Sequence, residues 1–279
     1  MILSMITWGL SWTNAKILGM YADPPLIMFW RFLLASISFV FVLMVSKHSF
    51  RIPYNAIPII FINSIFMVSY NYFYFKGTQV GLAGAGGVLV TTLNPILTTI
   101  FSSFLLKDYI PKKDWLGLCL GLVGGSIILR FWELNFNTFY NSGNLFFILA
   151  SLSWVAVTII TSESKGQISF LKYSLWSFIF STFLCLPLLS SHNLFSIFYF
   201  DIIFWLNLII LSVFAMAFGT SIYFFASTNL GAKKASSYIF LVPLTAVLFA
   251  MYFLAEPFQL STFIGGSLGI LAVYLINIK

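Results

Sequence analysis

Aromatic and amide side chains recur at helical spacing inside the apolar segments of this sequence. Trp8 and Trp12 lie one helical turn apart, and Tyr70 and Tyr74 have the same spacing beside Asn71. Rings and amides that share a helix face can line a pocket that binds an amphipathic small molecule. The same residue types also form belts at the surfaces of a membrane. The pattern therefore indicates binding rather than bond cleavage. It is compatible both with a substrate pocket and with a belt of aromatic residues at the membrane surface.

Two basic residues, Lys16 and Arg31, fall inside apolar segments, each toward the end of its span that the predicted orientation places outside. A cation in that position can contact a substrate carboxylate or phosphate. It can also extend to the lipid headgroups or pair with Asp23 in the intervening loop. We therefore keep Lys16 and Arg31 as candidate anion contacts, with the structural alternative beside them.

Groups that could act in catalysis or hold a metal are scattered. His48 and His192 fall in separate loops, and Cys119 and Cys185 lie far apart inside apolar runs. Neither pair has the spacing of a metal site or of a disulfide framework. We therefore predict no enzymatic activity, no catalytic residue, no metal and no cofactor.

The elements that position these residues are predicted to lie in a membrane. The chain is 60% hydrophobic and 8% charged, whereas soluble domains are about 25% charged. Its charge of +7 is explained by basic flanks beside membrane spans, so no nucleic-acid partner is predicted. A membrane-spanning helix needs about 20 apolar residues. We predict an all-α protein with ten transmembrane helices at approximately 1–19, 26–46, 56–75, 82–106, 115–131, 143–161, 173–190, 202–226, 232–254 and 259–277.

The distribution of Lys and Arg predicts the orientation, because basic loops face the cytoplasm. With the N-terminus inside, the outer loops hold Lys76 and Arg130. The cytoplasmic loops hold Lys47, Arg51, Lys107, Lys112, Lys113, Lys165, Lys172, Lys233, Lys234 and Lys279. This bias predicts that both termini lie in the cytoplasm.

One sequence pattern occurs twice. LNPILTTIFSSFLLKD (93–108) and LVPLTAVLFAMYFLAE (241–256) share a proline and a closing acid at an offset of 148 residues. Since five spans precede the midpoint, the second copy enters the membrane upside down. We therefore predict two inverted five-helix repeats, 1–135 and 143–279, an arrangement typical of alternating-access carriers whose site lies between the repeats.

The repeated prolines and acids have separate expected roles. Pro95 and Pro243 fall inside spans, where a proline kinks the helix and can act as a hinge or a static bend. Asp108 and Glu256 lie at opposite membrane faces in the predicted topology, and a structural role at the helix ends is expected for them. No acid falls in the middle of a span, so a carboxylate proton relay has no evident member.

The chain resembles the drug/metabolite transporter superfamily, specifically its EamA-type ten-helix carriers. WGLSWTNAKI (8–17) and RFLLA (31–35) are similar to the starts of the first two family helices. The end of each family repeat resembles NPILTTIFSSFLLKD followed by GLCLGLVGG, and VPLTAVLFAMYFLAE followed by GGSLGIL. The resemblance covers essentially the whole chain. It implies a central cavity lined by the first, third, sixth, eighth and ninth spans.

The resemblance and the aromatic pattern together predict a substrate pocket. The substrate-binding residues expected from them are Trp12, Asn14, Asn71, Tyr74, Asn94, Trp154, Tyr223 and Tyr238. The expected function is a secondary carrier in the cytoplasmic membrane that exports amino acids or related amphipathic compounds. Carriers of nucleotide-type or cofactor metabolites are the alternative, with a membrane-embedded enzyme or a non-transporting subunit more remote. The expected partners are a small-molecule substrate and the lipid bilayer, and the expected state is a monomer or a homodimer.

Overall fold

The computed structural model describes residues 1–105, 110–128, 130–133, 143–189, 193–254 and 260–277. Within these ranges all of the regular secondary structure is helical, which confirms the predicted all-α class. Asp108, Glu256, His192, Lys107 and Lys279 lie outside the described residues.

We label the long helical segments α1 to α10 in chain order. The first half contains α1 (Ile2–Leu18), α2 (Pro24–Val45), α3 (Ile57–Val80), α4 (Ala83–Leu105) and α5 (Lys112–Ile128). The second half contains α6 (Asn144–Glu163), α7 (Phe170–Cys185), α8 (Ile202–Leu230), α9 (Ala232–Phe253) and α10 (Leu260–Asn277).

Two of these segments change their helix type along their length. α8 is α-helical over Ile202–Ile209, π-helical over Ile210–Thr220 and α-helical again over Ser221–Leu230. α9 passes through a 3-10 turn at Tyr238–Leu241, directly before Pro243. A π-helical stretch inside an α-helix occurs frequently at functional sites, so α8 is a segment of particular interest.

Seven segments, α2, α3, α4, α6, α7, α8 and α9, are long and apolar enough to cross a membrane. α1 and α5 have 17 residues each, and the apolar helix within α10 is Phe263–Asn277. The bundle keeps large apolar side chains exposed on its outside, among them Phe41, Phe104 and Tyr252. Such a surface suits contact with lipid tails. Ten membrane crossings remain a prediction.

The helices pack through small residues at their closest approaches. A Cβ atom added to Gly9 of α1 would overlap the side chain of Thr245 on α9. One added to Gly77 of α3 would overlap the ring of Phe147 on α6. Without a side chain at these positions, α1 lies directly against α9 and α3 directly against α6. One central space lies among residues of α1, α2, α3, α4, α6, α8 and α9.

Candidate functional site

A small cavity lies in the interior of the bundle, about halfway along the helices that surround it. Its volume is about 20 Å³, which is room for about one water molecule. Both halves of the chain contribute to its wall. The lining residues are Trp8, Ser11, Trp12, Arg31, Tyr70, Thr91, Asn94, Trp154, Met216, Thr220, Ile239 and Val242. In this conformation the cavity is too small for a larger molecule, which fits only after helices separate.

Aromatic rings form the main wall of the cavity. Trp154 meets Trp8 edge-on with a centroid distance of 5.1 Å, and Tyr70 lies 4.7 Å from Trp154. Tyr223 lies behind this pair, 5.0 Å from Trp8 and 5.5 Å from Trp154. On the other side, Trp12 meets Tyr74 edge-on at 4.7 Å. Packed rings of this kind present large apolar surfaces with few ways to rearrange.

Hydroxyl groups supply acceptor atoms to the same space. The Ser11 hydroxyl donates to the Trp8 carbonyl at 2.6 Å, and the Thr91 hydroxyl donates to the Gly87 carbonyl. Their protons are therefore used within their own helices, which leaves oxygen lone pairs for a ligand. Asn94 accepts a hydrogen bond from Ser151 of α6 at 2.7 Å, so that contact fixes its amide beside the cavity.

Arg31 is the charged residue of the lining, and it is 5% exposed. Its Nη1 donates to Asn71 Oδ1 at 2.6 Å, and its guanidinium carbon lies 5.6 Å from the ring centres of Tyr74 and Phe75. Asn71 in turn donates from Nδ2 to the Met67 carbonyl at 2.8 Å. These contacts hold the guanidinium group at the cavity wall.

The predicted site residues occupy three kinds of place. Trp12, Asn94, Trp154 and Arg31 line the cavity directly. Tyr74, Asn71 and Tyr223 form a layer behind it: Tyr74 donates to the Ser11 carbonyl at 2.6 Å, and the Tyr223 hydroxyl lies 2.8 Å from that of Thr158. Asn14, Lys16 and Tyr238 lie elsewhere.

Lys16 and Tyr238 contact other parts of the bundle. Lys16 Nζ donates to the carbonyls of Thr78 and Gly81 at 2.9 and 2.8 Å, where α3 ends. That contact satisfies carbonyls that a helix end leaves without intrahelical donors. Tyr238 borders a surface groove beside Met1 and Phe218.

Asn14 joins α1 to α8 away from the cavity. Its Nδ2 donates to Asn207 Oδ1 at 2.6 Å. Beyond the end of α1, the Tyr21 hydroxyl lies 3.0 Å from both carboxylate oxygens of Asp201. Desolvation, together with the hydrogen bond and charge of Asp201, raises the pKa of Tyr21. The phenol therefore keeps its proton at neutral pH and remains a donor. We call these two contacts the α1–α8 clamp.

The two prolines lie within helices close to the cavity. A proline has no N–H, so it cannot donate to the carbonyl four residues earlier. The residues four positions earlier are Thr91 for Pro95 and Ile239 for Pro243, and both line the cavity. The Ile239 carbonyl accepts instead from the Val242 N–H in the 3-10 turn. In the π-helical part of α8, the Ala215 carbonyl accepts from Trp8 Nε1 at 2.9 Å.

Several lining residues were absent from the sequence-based set. Ser11, Thr91 and Thr220 are common residue types whose hydroxyls usually bond to their own helix. Helical spacing carries a usable signal for two of them, since Thr91 precedes Asn94 by three residues and Ser11 follows Trp8 by three. Thr220 and Met216 lie on the π-helical stretch, where a regular 3.6-residue period places side chains incorrectly.

Comparison with known proteins identifies relatives along the whole chain. The model of the EamA-like transporter family matches residues 1–130 and 141–278. The uncharacterized transporter YvbV of Bacillus subtilis is 27% identical over 282 residues, covering 99% of this chain and 89% of YvbV. An uncharacterized transporter of Synechocystis is 28% identical over 218 residues, covering 70% of this chain and 63% of that protein. A protein of known crystal structure is 16% identical in sequence and superposes with a TM-score of 0.78. The match covers 99% of this chain and 94% of that chain, so the two proteins share a fold.

Proposed function

The chain belongs to the EamA-like transporter family, and from this membership we propose that it exports amino acids or related amphipathic metabolites across the cytoplasmic membrane. Transport proceeds by alternating access, as a secondary carrier with both termini in the cytoplasm. The protein is a multi-pass membrane protein with several apolar helices. The observation that carries the proposal is the small, aromatic-walled cavity lined by both halves of the chain.

The character of the cavity supports an amphipathic substrate. Trp8, Trp12, Tyr70 and Trp154 provide apolar surface, while Ser11, Thr91 and Asn94 provide polar atoms. Sites of this composition bind small molecules by enclosing an apolar group and fixing it with a few hydrogen bonds. The small volume of the cavity also fits a carrier, because such a protein contracts around its site between openings to either side.

The packing of α5 against α10 supports the inverted repeat. A Cβ added to Gly124 would lie 2.6 Å from the Gly265 carbonyl oxygen, and one added to Gly117 would lie 3.1 Å from that of Ala272. An early residue of α5 thus meets a late residue of α10, so the helices run antiparallel. By the 148-residue offset, Gly265 is equivalent to Gly117 and Ala272 is equivalent to Gly124. The contact between Gly124 and Gly265 is therefore the repeat counterpart of the contact between Gly117 and Ala272.

Two further pairs of equivalent helices have the same relative direction. In α4 and α9, Gly87 lies near Ala246. Later in α4, Leu97 packs against a cluster that includes Ala232, and the first turns of α9 contact α4. In α2 and α7, Phe39 contacts Phe178. Earlier in α2, Trp30 donates to the Leu194 carbonyl beyond the end of α7, at 3.0 Å. Antiparallel packing of equivalent helices is expected if the second repeat enters the membrane in the opposite direction.

The pattern of neighbouring helices supports the same proposal. α1 is equivalent to α6, α3 to α8 and α4 to α9. The contact of α3 with α6 therefore corresponds to that of α8 with α1, and the contact of α4 with α6 corresponds to that of α9 with α1. α3 on α7 likewise corresponds to α8 on α2. Exchanging each helix for its equivalent in the other half therefore returns the same neighbours. The ring pair Trp12–Tyr74 has its counterpart in Trp154–Tyr223, which places equivalent aromatic pairs on both sides of the cavity.

Counterflow in liposomes tests the proposal. Purified protein is reconstituted, vesicles are loaded with an unlabelled compound, and entry of the labelled compound is followed for amino acids, nucleosides and cofactors. We expect exchange for at least one amino acid with an apolar side chain. If only nucleosides or cofactors exchange, the substrate is of the alternative class, and if no compound exchanges, the carrier proposal is wrong.

A cavity-filling variant links the transport to the site. In Ser11→Trp a second indole occupies the space beside Trp8 and Trp12, so exchange should fall to the level of protein-free liposomes. Ser267→Trp is the matched control, because Ser267 is exposed on the outer surface of α10. Equal exchange by Ser11→Trp and the wild type would place the transport path elsewhere.

A further inference from the structure

Arg31 is a buried cation, and its contacts with the described residues do not neutralise it. It is 5% exposed and lies within α2, which is long and apolar enough to cross a membrane. A charged group in such a place is costly unless it has a partner, so it is a candidate for a functional site. Within the described part of the chain, the contacts of Arg31 are an amide oxygen and two aromatic rings. None of these carries a negative charge.

The guanidinium group also has a donor left over. Arg31 Nε is buried and has no hydrogen-bond partner among the described residues. Since Nη1 is held by Asn71, which is itself held by Met67, the guanidinium plane cannot turn freely to find one. An Arg side chain binds a carboxylate through two parallel N–H donors. The fixed orientation thus leaves part of this pair of N–H donors available to a ligand.

A second orphan donor lines the same cavity. Trp154 Nε1 is buried without a partner that meets hydrogen-bond geometry in the described structure. The hydroxyl protons of Ser11 and Thr91 are already donated to backbone carbonyls. The free hydrogen-bonding capacity at the cavity wall therefore includes two unpaired donors, one of them cationic. That combination suits a group that accepts hydrogen bonds and carries negative charge.

We propose that Arg31 binds the carboxylate of the transported molecule, with Asn71 as the positioning residue. This inference rests on the proposed transport function and specifies its substrate class as small monocarboxylates, zwitterionic amino acids included. One cation balances one negative charge, whereas a phosphate dianion would bring a second charge that the lining does not balance. The aromatic wall then receives the apolar part of the substrate, and Trp154 Nε1 supplies a further donor.

The test compares molecules that differ in the carboxylate alone. Wild-type protein in liposomes is assayed for counterflow of apolar and aromatic amino acids, each beside its carboxamide and its decarboxylated amine. We expect exchange of the acids and at least tenfold weaker competition by the amides and amines. Thermal stabilisation of the wild type by the same compounds provides a second measurement that needs no variant.

Variants of Arg31 then assign the contact. Arg31→Gln should raise the KM for the carboxylate at least tenfold and leave competition by the carboxamide unchanged, and Asn71→Leu should shift KM in the same direction by less. Lys16→Met is the matched control, since Lys16 is a basic residue away from the cavity. A wild type that exchanges acid and carboxamide equally well overturns the inference while transport stands. A wild type that exchanges nothing overturns the proposed function instead.

Discussion

Trp154 contacts three rings at the cavity, those of Trp8, Tyr70 and Tyr223. Its indole also lines the space directly and carries an unpaired N–H. A substrate that enters must therefore contact Trp154. Side chains such as Phe147 are equally aromatic and fully buried but serve packing between helices. Comparing substitutions of Trp154 and Phe147 therefore distinguishes effects on substrate binding from effects on protein stability.

We expect Trp154→Ala to raise the KM for the transported compound about tenfold, because a ring contact and its buried area are lost. Trp154→Phe should lie between the wild type and Trp154→Ala, since it keeps a ring and loses the N–H. The measurement is counterflow, with expression level and melting temperature recorded for each variant. Phe147→Leu is the control and should lower the melting temperature while KM stays constant. If Trp154→Ala lowered expression by as large a factor as it raised KM, Trp154 would have a role in packing rather than in binding.

Lys16 is a half-buried residue whose charge has a structural role. Its ammonium group donates to carbonyls at the end of α3, so Lys16→Met should leave buried acceptors without donors, at a cost of about 1–3 kcal/mol. We expect a melting temperature in detergent several degrees lower, with KM unchanged. Lys16→Arg keeps a donor and should recover part of the stability. A changed KM at constant melting temperature would instead favour the anion contact considered from the sequence.

At the scale of helices, α5 and α10 depend on the absence of side chains where they cross. A Cβ at Gly124 would lie 2.6 Å from the Gly265 carbonyl oxygen, so the backbones touch. Gly124→Leu should force the helices apart and lower the melting temperature by several degrees. Val123→Leu, at an exposed position on the same helix, is the control and should have little effect. Unchanged stability in Gly124→Leu would mean that this crossing adapts freely.

The α1–α8 clamp joins the two helices on the side that the predicted topology places outside the cell. Loss of the Asn14–Asn207 hydrogen bond should let this side open more often. We expect Asn207→Ala to increase, several-fold, the labelling of a Ser11→Cys reporter by an impermeant thiol reagent added outside. The background replaces Cys119 and Cys185.

The control for the clamp is Asn229→Ala, an exposed amide at the other end of α8 that bonds to the Phe225 carbonyl. It should leave the labelling rate unchanged. Should Asn207→Ala label no faster than this control, the Asn14–Asn207 contact does not restrict opening.

At the scale of the whole molecule, the two repeats predict opposite exposure of equivalent positions. Lys112 and Leu260 are related by the 148-residue offset, and both are exposed. In intact cells with the cysteine-free background, Leu260→Cys should react with an impermeant reagent and Lys112→Cys should react only after permeabilisation. Reaction of both in intact cells would contradict the inverted topology.

Much of the architecture is contained in the sequence, because the pressures that create it are local. A chain with so few charges requires a membrane as its solvent, and apolar segments in lipid form helices so that each backbone group finds a partner within its own segment. The repeated proline patterns and the basic loops are likewise readable without coordinates. The predicted all-α class and the family were confirmed, and the ten crossings and the inverted repeats stay predictions.

The membership of the cavity was decided by tertiary structure alone. Asn14, Asn94, Lys16 and Arg31 are polar residues within apolar helices, and the sequence offers no reason to separate them. The structure turns Asn94 and Arg31 toward the cavity, while Asn14 bonds to α8 and Lys16 to the end of α3. Which face of a helix points inward depends on how its neighbours pack, and those neighbours are distant in sequence. The composition of a segment thus determines that it lies in a membrane, whereas the contacts between segments determine which of its residues line the cavity.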